Sequence, residues 1–231
     1  MRILLSSLLC LVALVNLGRA QASDGKAAAA AADDLSALGM KASFTIVFDT
    51  SGSMNERRKL VMAKQAFNWW LESAPKKSIA RWSLWAFDAR RSDGVNLVDR
   101  KADAADEVQA KIGRFVANGG TPLGKTLVKV TGIIEAENRK AEQGKADILR
   151  QIVLIFTDGQ DSYLKVAEMQ KVVTRLRNAG AEVFSIGYQG EGDYLAKVSD
   201  KFIMVDDEKQ LKSGLSEFTY FIEKAGTQKQ P

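Results

Sequence analysis

The sequence predicts a doubly wound α/β fold: a mostly parallel six-stranded sheet with one antiparallel edge strand and helices on both faces. Three observations carry this expectation. From Ser43 onward, short apolar runs alternate with longer amphipathic stretches, as in a sheet covered by crossover helices. Most of the runs are continuously apolar, the mark of strands buried on both faces. One weak run, Val95 to Val98, closely follows its predecessor, which predicts a hairpin and hence the antiparallel edge.

The strands expected in order are Phe44 to Phe48, Trp82 to Phe87, Val95 to Val98, Ile152 to Phe156, Val183 to Ile186 and Phe202 to Val205. Helical spacing links Leu60, Ala63, Phe67, Trp70 and Leu71 after the first strand. The same period joins Val108, Ile112 and Phe115, then Leu123, Leu127, Val130 and Ile134. It returns in Val166, Met169, Val173 and Leu176, and finally in Leu211, Leu215, Phe218 and Ile222. Trp69, Trp70, Trp82 and Trp85 fall within these helix and strand patterns and read as core rather than as a ligand-stacking box.

The ends of the chain have a different character. Residues 1–22 have a short positive start, an apolar stretch from Ile3 to Leu17 and a terminal Ala20-Gln21-Ala22, the pattern of a secretory signal peptide. Cys10 lies inside the apolar stretch and reads as signal core. Residues 23–41 are Ala-rich with little to bury and read as a linker, residues 42–224 as the folded domain and 225–231 as a disordered tail. The mature chain would have no membrane span, no cysteine and no Asn-x-Ser/Thr acceptor. Export in a bacterium, to the periplasm or beyond, fits that composition.

Composition narrows the chemistry. The chain has no histidine and one cysteine, which excludes Ser-His-Asp and Cys-His catalysis, conventional zinc sites, iron-sulfur clusters and an internal disulfide. A formal charge of +5 before removal of the leader is too small for a nucleic-acid signature. Oxygen ligands, Lys, Arg and Tyr remain.

Ligands of open α/β sheets bind beyond the carboxyl ends of the strands, and three such places stand out. Asp49, Ser51 and Ser53 follow the first strand at i, i+2 and i+4, with Gly52 permitting a tight turn. Asn118-Gly119-Gly120-Thr121-Pro122 opens a helix, and Thr157-Asp158-Gly159 directly follows the strand ending at Phe156. Each segment alone reads equally well as a helix cap or turn.

Taken together and in this order, Asp49-x-Ser51-x-Ser53, Thr121 and Asp158 resemble the metal-ion-dependent adhesion site of von Willebrand factor type A domains. The resemblance covers about residues 42–224 and looks most like the bacterial branch of the family. It implies a Rossmann-like fold and a single metal held by Asp49, Ser51, Ser53, Thr121 and Asp158. It also implies that some carboxylate contacts run through water or through hydrogen bonds to the ligating groups, and that the last helix, about 208–224, can shift along the sheet. Acidic residues that would serve a neighbouring second metal are replaced here by Met54 and Asn55.

The chemistry of the donors agrees. Hydroxyls and carboxylates are hard ligands suited to Mg²⁺ or Mn²⁺. A divalent ion held mainly by neutral hydroxyls stays electrophilic and favours one more anionic ligand, such as an Asp or Glu offered by a protein partner. Arg57, Arg58 and Lys59, with Arg90 and Arg91 on the same rim, read either as ordinary solvated charge or as a basic collar for an acidic partner surface. The exposed rim is expected to include an irregular loop from Tyr188 to Asp193. The function expected is therefore a non-catalytic binding module. A metal-assisted hydrolase or phosphotransferase is the alternative, although the first loop lacks paired aspartates and there is no Gly-Lys-Ser phosphate loop. A flavin-phosphate site in the first loop would leave Thr121 and Asp158 unexplained.

Overall fold

The computed structural model describes residues 41–74, 79–87, 93–159, 161–188, 192–207, 209–211, 213–216 and 219. The leader 1–22, the linker apart from Lys41 and the tail 225–231 lie outside the described residues, as do Arg90 and Arg91. The elements are strand β1 (Ala42–Phe48), a distorted 3-10 segment (Gly52–Arg58), helix α1 (Lys59–Ser73), β2 (Ile79–Phe87), β3 (Gly94–Lys101), α2 (Ala105–Gly113), α3 (Leu123–Glu142), β4 (Arg150–Thr157), α4 (Val166–Asn178), β5 (Ala181–Tyr188), α5 (Gly192–Val198) and β6 (Lys201–Val205). Residues 209–211 and 213–216 are also helical.

The six strands form one sheet in the order β3-β2-β1-β4-β5-β6. Neighbours are parallel except β2 and β3, where Phe87 faces Gly94. The expected antiparallel edge strand is therefore present. Gly94 is required there by close packing, because a Cβ would stand 2.4 Å from Thr126 Oγ1.

Alternation along the central strands feeds two cores. Phe44, Ile46 and Phe48 of β1 and Ile152, Leu154 and Phe156 of β4 point to one face, where α1 brings Phe67 and Trp70 and α2 brings Val108 and Ile112. Leu211 and Leu215 close this face. Val47, Val153 and Ile155 point to the other face and pack on Leu123, Leu127, Val130 and Ile134 of α3, Met169 and Val173 of α4, and Leu195 of α5. Trp70 and Trp82 are buried with ring centroids 6.0 Å apart, and Trp85 donates to Ser83 Oγ at 3.1 Å. These three indoles are core, as the patterns predict, whereas Trp69 is only half-buried against the core that holds Trp70 and Trp82. Phe115 lies just past the end of α2 rather than within it, and its ring packs 5.3 Å from that of Phe48.

Chain order places the candidate crevice. From β1 the chain moves outward through β2 to β3, then returns to β4 on the other side of β1. The connections before and after this reversal diverge, which opens a cleft beyond the carboxyl ends of β1 and β4. Phe48 and Phe156 sit side by side as the last pair of the β1–β4 ladder.

One part of the rim differs from expectation. Tyr188 is the last residue of β5 and fully buried, while Gly192 and Asp193 begin a helix rather than lying in an irregular loop.

Candidate functional site

Asp49 leaves β1 with its amide still bonded to Phe156 O at 2.8 Å, so the strand ladder fixes its position. Its carboxylate is fully buried. Oδ1 accepts the Ser51 amide at 2.8 Å, closing a tight turn, and Oδ2 accepts the Thr157 hydroxyl at 2.6 Å. Burial pushes the Asp49 carboxyl up to about 6, and the bonds from Ser51 and Thr157 only partly offset this.

A chain of polar contacts runs outward from the first loop. Ser51 Oγ lies 3.1 Å from Ser53 Oγ, and Ser53 Oγ donates to Asp158 Oδ1 at 3.0 Å. Residues 105 positions apart in sequence thus meet across the crevice. Asp158 Oδ2 accepts the Lys59 ammonium at 2.7 Å, and both side chains are nearly enclosed. Breaking such a buried pair by removing one partner costs ~3–5 kcal/mol.

Backbone bonds bring in the loop that carries Thr121. Gly52 N donates to Gly119 O at 2.9 Å and Asn118 N to Thr50 O at 2.7 Å. Gly119 has φ 84, a left-handed conformation that glycine adopts without a Cβ penalty. Thr121 is buried; its amide donates to Ser162 Oγ, and its carbonyl accepts the Ser162 amide, each at 2.9 Å. The three sequence-predicted segments therefore converge. Asp49, Ser51, Ser53 and Asp158 lie on one hydrogen-bonded path, and Thr121 stands in the loop laced to it.

The rim is more divided. Arg57 and Arg58 are exposed and both adopt left-handed backbone, with φ 47 and 63. Lys59, read with them as solvated or collar charge, instead turns inward and is 7% exposed. The left-handed kink at the two arginines redirects the third cation into the crevice.

Three contacts at the candidate site escape the sequence reading. Thr157 holds the inner oxygen of Asp49, and Lys59 balances Asp158. Asp161 ties the loop after β4 to the start of α3: Oδ2 accepts Gly124 N at 2.6 Å, while Oδ1 accepts the amides of Tyr163 and Leu164. One carboxylate thereby satisfies a helix N-terminal amide that has no partner within its own helix. Beside it Tyr163, 45% exposed, lies under Lys125 Nζ at 4.8 Å and next to Gly120, whose missing Cβ leaves room for the phenol. Among the described residues no three acidic, His or Cys side chains cluster. The donors gathered in the crevice are mainly hydroxyls.

A family model described as von Willebrand factor type A domain matches residues 44–216. No curated protein matches in sequence. Among solved structures, proximal thread matrix protein 1 of the mussel byssus is 19% identical with a TM-score of 0.60, covering 78% of this chain and 47% of that one. Another structure of that protein, with a zinc-occupied MIDAS motif, is 16% identical with a TM-score of 0.56, covering 78% and 46%. The pilus adhesin SpaC of Lactobacillus rhamnosus GG, in an open conformation, is 13% identical with a TM-score of 0.59, covering 80% and 30%. The chain thus spans less than half of each of these structures, and at such identity the likeness concerns the fold.

Proposed function

The chain belongs to the von Willebrand factor type A domain family, and we propose that it holds one divalent cation between β1 and β4 and uses it to bind a protein partner. Ser51, Ser53 and Thr121 supply hydroxyl ligands, with Asp49 and Asp158 behind them. The partner offers an Asp or Glu that completes the coordination shell. The module is exported and non-catalytic, delivered by the leader 1–22 through the linker 23–41, with residues 42–224 as the functional unit.

The observation that carries this reading is the Ser51–Ser53 hydroxyl pair, 3.1 Å apart and joined to Asp158, with Asp49 buried beneath it. Every donor is a hard oxygen, which fits Mg²⁺ or Mn²⁺. The charges fit as well: two buried carboxylates face one buried ammonium, so the crevice retains a negative charge that a cation would balance. Bound there, the ion would act as a Lewis acid toward an incoming carboxylate. The zinc-occupied motif of the mussel protein supports a divalent ion in this fold. Matrix and adhesin neighbours support an extracellular binding role. Among the described residues no helix is long and apolar enough to cross a membrane.

Exposed Arg57 and Arg58, with Arg90 and Arg91, would flank the metal and favour an acidic partner surface. Titration calorimetry with Mg²⁺ and Mn²⁺ on the mature protein tests the site. Saturable binding that is lost in Ser51→Ala, Thr121→Ala and Asp158→Ala supports it, whereas equal behaviour of wild type and variants removes it.

A further inference from the structure

Lys59 occupies an unusual place for an ammonium. It is the first residue of α1, where the helix dipole disfavours positive charge, and it is almost fully buried. The run Arg57-Arg58-Lys59 reads as solvated charge, yet only its first two members face water. Left-handed backbone at both arginines turns the third side chain into the crevice. There Nζ contacts Asp158 Oδ2 at 2.7 Å, while Ser53 Oγ donates to the other oxygen. Asp158, one of the two carboxylates assigned to the metal, thus has an ammonium on one oxygen and a hydroxyl on the other.

A second carboxylate lies within reach. Glu56 Oε2 is 3.7 Å from Nζ, and its side chain is 70% exposed. A lysine ends a flexible four-carbon stem and pairs as a point charge without fixed geometry. It can therefore leave Asp158 for Glu56 by a small swing, without becoming an unpaired buried charge.

We propose that Lys59 is the resident counter-cation of the site: it neutralises Asp158 while no divalent ion is bound, and the entering ion displaces it toward Glu56. This rests on the metal-site reading above. Because ion and ammonium compete for one carboxylate, Lys59 sets the ion concentration at which the site fills, and hence at which partner binding turns on.

Two measurements test the proposal, with MgCl₂ alone as the probe. Calorimetry on Lys59→Gln, which keeps a donor but removes the charge, is expected to give at least fivefold tighter Mg²⁺ binding than wild type. Lys59→Arg, which keeps the charge, should stay weaker than Lys59→Gln. A smaller gain or a loss in Lys59→Gln overturns the counter-cation role and leaves the metal site standing. No Mg²⁺ binding in either wild type or Lys59→Gln overturns both readings.

The wild-type chain supplies the second readout, which needs no variant to fold. Acetylation of Lys59, followed by peptide mass spectrometry, should be slow in EDTA and at least fivefold faster in saturating Mg²⁺. Equal rates in the two conditions refute displacement.

Discussion

The burial of Asp49 makes the stability of the ion-free protein depend on pH in an unusual direction. Its folded carboxyl titrates at about 6 against an ordinary value of 3.8, chiefly because burial penalises the charge. A carboxyl raised in the fold binds its proton more tightly there than in the unfolded chain. Its stabilising contribution is therefore complete below about 4 and is lost as pH rises through about 6. The gap of roughly two units corresponds to about 3 kcal/mol at 1.36 kcal/mol per unit. About 2 kcal/mol of this is lost between about pH 4.5 and pH 8, which for a domain of this size is a fall in melting temperature of roughly 4–8 °C. Urea unfolding in EDTA across this range measures it. Wild type should weaken with rising pH, Asp49→Asn should lose the slope, and saturating Mg²⁺ should flatten the wild-type profile by compensating the charge. The reasoning fails if wild type is as stable at pH 8 as at pH 5 in chelator, or if Asp49→Asn keeps the full slope.

Other substitutions probe the supports of the site. Thr157→Val removes the donor to Asp49 Oδ2 and should cost ~1.5–3 kcal/mol at neutral pH in EDTA, read by urea midpoint. Arg58→Gly should raise thermal stability by about 0.5–1 kcal/mol. It relieves a left-handed side-chain penalty of ~1–2 kcal/mol, less the added freedom of glycine in the unfolded chain. Asp161→Ala leaves the amides of Gly124, Tyr163 and Leu164 without their acceptor. It should lower stability by ~1–2 kcal/mol and increase amide hydrogen exchange at the start of α3.

The fold was legible because its strands are continuous apolar runs and its helices bury residues at a helical period. Even the weak edge strand declared itself through the short connection at residues 88–94. Asp49, Ser51, Ser53 and Asp158 directly follow buried strands, but each segment alone also fits a helix cap or turn; it is their order along the chain, together with Thr121, that made a shared crevice legible.

What stayed hidden depends on contacts distant in sequence or on backbone conformations without a local signature. Gly124 and Asp161 are 37 residues apart, so no spacing reveals that one carboxylate caps α3. Lys59 follows two arginines and looks like a third surface cation. Its inward turn comes from left-handed φ at Arg57 and Arg58, where no glycine or asparagine marks the bend. Helix α5 is only seven residues long, too short for a periodic pattern to separate it from a loop. Tyr188 follows the apolar run Val183 to Ile186 and so reads as rim, but the strand extends through it and its ring is enclosed in the core formed with Phe184 and Leu211.

The central claim is that the hydroxyls of Ser51, Ser53 and Thr121 seat a divalent ion between β1 and β4. Anomalous scattering from a crystal of the mature protein soaked in Mn²⁺ tests it most directly. One strong peak bounded by those three side chains is expected, absent from crystals of Ser53→Ala. A crevice without density, or a peak remote from these residues, would contradict it.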